Sequence, residues 1–558
     1  MKNKFLAYGF WLCSIPSLWA QLNDGGSLPY SLRNAFANPI ATTEAPAFDK
    51  NIFEREDAER ATKGQLYRYG RVLPVAIDPH NNGTWTTLSN GDRIWRIRIT
   101  SRHAQAISLY FNYFELPEGA TMHIYNDDRS HIIGGFGAHN NHQSQQFATE
   151  LIAGEAVIIE YYEPANVQNL GGFQINGIGH AYRDSKTKTL REFGDAGRCQ
   201  VNVNCSEGSG KTNQRDAVAR ISVKVGQNLG WCTGALVNNV RQDGTPYFLT
   251  AMHCGTDAND NMTTQNDINQ WLFYFNYQAS GCTTPSTEPS SNTLTGATLR
   301  SHSHDAGGNA GSDFILLQLF NTPPLSYNTY YAGWDNRNTA VSSGYGIHHP
   351  SGDIKKISTF NTQVTSDSWG TTVSGTHWTL DWTSTTNGDG TTEGGSSGSP
   401  LFNSTGLIIG TLTGGASDCS GITGPDSYGK FAYHWISNGA NTDYRLKPWL
   451  DPDNTGATTL SGVSRTAVAV VRTTAQPIAF TLQPNPSNGQ TIIMLPSALT
   501  QDAEITVSDA LGRIVHRESL NGAQNSLTLQ LGNVANGIYF VSLHSQQTIS
   551  TQRLTLSR

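Results

Sequence analysis

Along most of the chain, apolar and polar residues alternate in short runs. RIWRIRIT (93–100), AISLYFNYF (106–114), TMHIYND (121–127) and EAVIIEYYE (155–163) are short runs in which apolar residues are interspersed with polar ones, set between stretches rich in Gly, Asn, Asp and Pro. A period of two puts one set of side chains on a core and the other on solvent, the pattern of half-buried strands in a sandwich. A β domain is therefore expected over about 68–183. The stretch before it, from 21 to about 65, is polar and irregular and reads as a segment that wraps or links. A second series, ISVKV (221–225), PYFLTA (246–251), WLFYFNY (271–277), DFILLQLF (313–320) and GLIIGTLTG (406–414), has more continuous apolar runs, as in barrels or sandwiches. RLKPWLD (445–451) fits a closing helical turn. After a Val-, Thr- and Ala-rich linker at 464–477 comes a third set of strands, 478–558, with Gly and Asn turns. The predicted fold class is all-β.

Composition narrows the setting. With 558 residues the chain exceeds one core, and 15% charged residues with 56 glycines suit a turn-rich exported protein. A net charge of -7 offers nucleic acid no basic footprint. Residues 1–20, MKNKFLAYGFWLCSIPSLWA, place Lys2 and Lys4 before an apolar run ending at Ala20, which reads as a secretory signal peptide. A membrane anchor is the alternative, but the run is short and no second one is long enough to span a bilayer. Removing the signal peptide takes Cys13 and leaves Cys199, Cys205, Cys232, Cys254, Cys282 and Cys419, an even set in an oxidising compartment. Disulfides are expected within 194–463, and spacing alone leaves the pairing open. A zinc site is the competing use, but no CxxC pair supports it.

The stretch EGGSSGSPLF (393–402) would be a loop on composition alone. A serine there becomes a nucleophile only if an imidazole takes its proton and a third group fixes the imidazole. PYFLTAMHCG places His253 after a buried strand and beside Cys254, and GSDFILLQL places Asp313 at the head of an apolar strand. Asp305 in SHSHDAGG is a rival acid, but its loop is polar. His302 and His304 could clasp a metal, although such histidines are more often solvated. His348 and His349 in GIHHP fit packing near the site. Ser396 and Ser399 flank the nucleophile.

TAMHC, SDFILL and GSSGSP, in that order, resemble the trypsin and chymotrypsin superfamily. CTGALVNN, AGWDNRN, GGSSGSPLF and YGKFAYHW are similar to the bacterial lysyl endopeptidases within it, over about 198–455. The resemblance implies a chymotrypsin-like double β-barrel in which Ser397 attacks, His253 shuttles the proton and Asp313 orients the ring. The amides of Gly395 and Ser397 would form the oxyanion pocket. It also implies the disulfides Cys199–Cys419, Cys205–Cys282 and Cys232–Cys254. Asp426, in CSGITGPDSYGKF, matches the specificity-pocket floor, a carboxylate that rewards a cationic side chain. Trp369, Thr413, Gly414 and Gly415 would line the pocket, with Thr413 standing where lysine-specific members carry a histidine. No cofactor or metal is called for.

Lys186, Lys188, Arg191 and Arg198 crowd the stretch before the first framework cysteine. With a protease that cuts after basic residues, they suggest self-processing. Residues 21–193 would be a propeptide, with a β-sandwich core, that covers the site and is released near Lys188 or Arg191. Residues 478–558, with PNPSNG, DALGRIV, NGIYFVSL and RLTLSR, resemble the C-terminal sorting domain of type IX secretion. The expected partners are basic protein substrates, the chain's own propeptide and the type IX machinery. A binding protein or adhesin retaining a protease-like fold, and an esterase with the same triad, are the rival readings.

Overall fold

The computed structural model describes residues 28–34, 39–62, 65–168, 170–183, 193–305, 307–370, 373–419, 424–464, 479–499, 503–509, 514–545 and 548–558. The signal segment 1–20, the linker positions Lys186, Lys188 and Arg191, and nearly all of the 464–477 linker lie outside them. The chain divides into two compact units, Met1–Arg465 and Thr466–Arg558. Among the described residues no helix is long and apolar enough to cross a membrane.

The alternating runs of the N-terminal region form two facing sheets. One orders Ala41–Glu44, Arg93–Thr100, Ala156–Glu163, Thr121–Asn126 and Ile132–Phe136. The other carries Tyr67–Ile77, Gly172–Ala181 and Ala106–Glu115. Ile97, Ile99, Ile124, Val157 and Ile159 of the first meet Ile107, Leu109, Phe111, Ile175 and Ile178 of the second in one buried cluster. Period-two spacing sends these residues to the same side, with a β-bulge between Ile175 and Gly177 resetting the phase so that Ile178 joins them.

This sandwich does not stand apart from the region that follows. Tyr67–Ile77 pairs antiparallel with Asn228–Leu236, with Arg71 opposite Asn228 and Tyr67 opposite Trp231. One twelve-stranded sheet therefore runs from the sandwich into the cysteine-bearing region. The Tyr69 ring stacks on Trp231 at 4.2 Å, and its hydroxyl lies 2.6 Å from Ser222 Oγ.

In the cysteine-bearing region that sheet continues through Val218–Val225, Tyr247–Thr250, Ile315–Leu319 and Ala297–His302. A ten-stranded sheet contains Gly344–His348, Pro400–Asn403, Ile408–Gly415, Asp426–Lys430 and His377–Leu380. Among the described residues neither pairing path closes on itself. Leu249 and Leu316 from the first sheet, with Phe314 just before its Ile315–Leu319 strand, pack against Ile347, Phe402 and Ile408 from the second. The three disulfides are Cys199–Cys419, Cys205–Cys282 and Cys232–Cys254.

The segment read as an irregular wrap contains a helix, Lys50–Thr62. Its sequence is charged and has no apolar stripe, so periodicity gives no signal. Arg68 on the neighbouring strand holds it, reaching Asp57 at 2.8 Å and Glu56 at 3.0 Å. The closing turn is the short helix Lys447–Leu450.

The C-terminal unit has a three-stranded and a four-stranded sheet. Leu482, Ile493, Val507, Leu529, Val541 and Leu554 share its core.

Candidate active site

His253 leaves the Tyr247–Thr250 strand in a single 3-10 turn, Met252–Gly255, pinned by the Cys232–Cys254 disulfide. Asp313 sits at the head of Ile315–Leu319, with φ of 57°. It grips the histidine twice: the His253 amide donates to Oδ1 at 2.9 Å, and Nδ1 lies 2.7 Å from Oδ2. With Nδ1 so engaged, Nε2 is the nitrogen left to take a proton. Burial works against charge on the ring, but the Asp313 carboxylate outweighs it and raises the His253 pKa above the ordinary value. Burial would raise Asp313 itself, yet the imidazole and its hydrogen bonds bring it below the usual carboxylate range.

Asp305, read from sequence as part of a polar loop, is only 3% exposed. Its Oδ2 accepts the Asp313 amide at 2.7 Å, and Oδ1 accepts from Ser303 Oγ at 2.7 Å. Desolvation, then the charge of Asp313, push its pKa up to about 6. His304 stacks on Tyr444, centroids 4.6 Å apart. Among the described residues no group of three His, Cys, Asp or Glu side chains could hold a metal ion.

Ser397 lies half-buried in the tight loop before Pro400–Asn403. Its carbonyl accepts the Thr233 amide at 2.8 Å, which ties the loop to the strand carrying Cys232. Gly395 has φ of 94°, and a Cβ there would fall 2.8 Å from the Gly352 amide nitrogen, so only glycine fits without a shift. The amides of Ser396, Gly398 and Ser399 find acceptors in Glu393, Leu412 and Ser396, while those of Gly395 and Ser397 have no protein acceptor among the described residues. Two free amides on either side of Ser396, two positions apart, are what an oxyanion requires. Ser396 Oγ instead lies 2.8 Å from His348 Nδ1, whose Nε2 lies 3.0 Å from Ser358 Oγ. Burial lowers the His348 pKa to about 3, so the ring stays neutral.

Ser397 walls a cavity of about 840 Å3 with Thr392, Gly414, Gly415 and Ser417. His253 walls an adjoining cavity of about 180 Å3. Arg60, Gln65, Leu66, Trp369 and Thr413 line both, so histidine and serine face one divided cleft. Among the described residues no hydrogen bond joins the Ser397 hydroxyl to Nε2, a contact that commonly tightens only when substrate binds.

Asp426 begins Asp426–Lys430 and is fully buried behind the wall of the larger cavity. Its Oδ2 accepts from Trp382 Nε1 at 2.6 Å, Thr392 Oγ1 at 2.7 Å and Ser417 Oγ at 2.8 Å. A Cβ on Gly415 would stand 1.9 Å from Oδ1, so backbone and carboxylate touch directly. No cation pairs with Asp426 among the described residues, and burial raises its pKa. Trp369 covers Gly414, and Thr413 Oγ1 lies 2.9 Å from His377 Nε2. Burial lowers the His377 pKa to about 4. Sequence reading set Asp305 aside as a loop acid and missed His377, Trp382, Thr392 and Ser417, none of which stands in a recognisable motif.

Residues 193–429 match the family described as lysyl endopeptidase, C-terminal domain, and 481–557 match the secretion system C-terminal sorting domain. A lysyl endopeptidase of Pseudomonas aeruginosa is 28% identical over 418 residues, covering 70% of this chain and 84% of that protein. Among solved structures, the thermostable serine protease AL20 from an extremophilic microorganism is 14% identical, with a TM-score of 0.28, covering 39% of this chain and 92% of that one. A Glu endopeptidase is 17% identical at 0.27, covering 43% and 94%. The protease Anisep from Arthrobacter nicotinovorans is 16% identical at 0.27, covering 38% and 90%.

Proposed function

We propose that this chain, a secreted serine endopeptidase whose residues 193–429 match the lysyl endopeptidase family and whose C-terminal part matches a sorting domain, cuts peptide bonds on the carboxyl side of lysine, with arginine as a second basic residue it accepts. The observation carrying this reading is a buried, uncompensated carboxylate, Asp426, behind the cavity that Ser397 walls. An incoming ammonium removes a desolvation penalty that a neutral side chain leaves in place.

In the proposed chemistry, the Ser397 hydroxyl attacks the scissile carbonyl while His253 Nε2 takes its proton, with Asp313 holding the ring by Nδ1. The carbonyl oxygen becomes an oxyanion held by the amides of Gly395 and Ser397. His253 then protonates the leaving amine, an acyl-Ser397 ester remains, and water activated by the same ring hydrolyses it.

The chain would be made as a zymogen whose N-terminal part, 21–193, is cut away by the enzyme itself near Lys188 or Arg191. The placement of Arg60, Gln65 and Leu66 in the walls of both cavities supports a covering role for this part. Expressing Ser397→Ala in a host without comparable proteases tests it: the variant should accumulate uncut, and normal maturation would rule self-processing out. Rates on lysyl, arginyl and leucyl anilides test selectivity, with the expected order Lys above Arg and both far above Leu.

A further inference from the structure

The N-terminal strand does more than sit over the cleft. Tyr67–Ile77 leaves it along the edge of Asn228–Leu236, with Tyr67 opposite Trp231, the residue before Cys232. Leu66 is buried in a cluster of the protease region that includes Cys232, Met252 and Cys254, the last two flanking His253. A Cβ on Gly230 would meet the Leu66 side chain at 2.5 Å, and one on Gly394 would meet the Tyr67 ring at 2.4 Å. Gln65 and Leu66 wall the cavities of both His253 and Ser397, Tyr67 still walls the Ser397 cavity, and residues 67–71 pair along the Asn228–Trp231 edge.

Chemistry gives this path a direction. The leaving amine takes its proton from His253, so the part of a substrate beyond the cut lies on the side of Met252, Cys254 and the Asn228–Trp231 edge. The acyl side chain lies toward Gly414, Gly415 and Asp426. Leu66 and Tyr67 thus follow one another as residues beyond a cut would, and Gln65 before them has no cation for Asp426.

We infer that the surface under Leu66 and Tyr67 is the enzyme's leaving-side subsite, which selects peptides with a branched apolar residue directly after the cut and an aromatic one next, held as an added strand on Asn228–Trp231. The inference rests on the proposed cleavage after lysine. β-strand addition supplies the backbone bonds, and the apolar pocket supplies selectivity.

The test compares two quenched peptides identical up to their single lysine, continuing Leu-Tyr in one and Gly-Ser in the other, with the secreted enzyme produced from the full chain. Burial of a leucine side chain sets the scale, and kcat/KM should favour Leu-Tyr by at least ~10-fold. Equal cleavage of both overturns the subsite and leaves cleavage after lysine standing; cleavage of neither overturns both. A second readout needs no turnover. In the full-length Ser397→Ala chain, Leu66→Asp should speed amide exchange at residues 228–231, and Leu66→Met should restore protection. Unchanged exchange in Leu66→Asp would contradict the docking.

Discussion

The backbone amide of Asp313 donates to the carboxylate of Asp305 at 2.7 Å, so the acid that grips His253 is itself held by a second buried acid. Both carboxylates raise the His253 pKa, Asp313 the more strongly. Catalysis needs the neutral ring, so kcat/KM should climb with pH through an acid limb above the ordinary histidine range near ~6.5. Asp305→Asn removes one raising charge, and the limb should move to lower pH with little loss of plateau rate. A limb that stays or rises would contradict this electrostatic role. The same variant should alter stability: the Asp305 pKa is pushed up to about 6 in the folded protein against 3.8 ordinarily, so the contribution of this one group to stability falls as pH rises between those values. Urea titrations should show that part of the slope missing from Asp305→Asn.

Asp313→Asn keeps the shape of the acid but cannot hold the imidazole in the required tautomer. A fall in kcat of about 10^4 is expected, with KM little changed, in stopped assays on a lysyl anilide. A loss under about 10-fold would mean that another group orients the ring.

Asp426→Ser should abolish the proposed preference for lysine, because a cationic side chain would enter with no buried partner. Losing one member of such a pair costs about 3–5 kcal/mol, or ~10^2 to ~5 × 10^3 in kcat/KM for lysyl substrates, while leucyl substrates should lose far less. Gly415→Ala should also suppress lysyl cleavage, since the added Cβ would stand 1.9 Å from Asp426 Oδ1. Equal losses on lysyl and leucyl substrates would remove Asp426 from the pocket.

The Cys232–Cys254 bond joins residues 22 apart and ends beside His253. Replacing both cysteines by alanine should lower stability by about 3 kcal/mol, read by urea denaturation, and should also lower kcat as the histidine turn loosens. Lost stability with kcat intact would make the bond a structural staple only.

The strand content and the three residues at the candidate site could be read from sequence because each has a local signature. His253 follows a buried strand, Asp313 precedes one, and Ser397 stands among glycines. Asp305 could not be read in the same way. A loop aspartate looks solvated until the chain folds so that its carboxylate accepts the Asp313 amide. The donors around Asp426 come from Trp382, Thr392 and Ser417, separate segments joined only by tertiary packing. His377 stands behind Thr413, where the expected histidine is missing, and no spacing predicts that contact. The Lys50–Thr62 helix has no apolar stripe, and the pairing of Tyr67 with Trp231 joins two edges whose alternation says nothing about their neighbours.

The most direct measurement is to digest a denatured protein of known sequence with the secreted enzyme and, in parallel, with its Ser397→Ala variant, reading every new terminus by mass spectrometry. New carboxyl termini should be dominated by lysine, with arginine second, and should be absent with the variant. Termini without basic residues, or cutting that survives Ser397→Ala, would contradict the account.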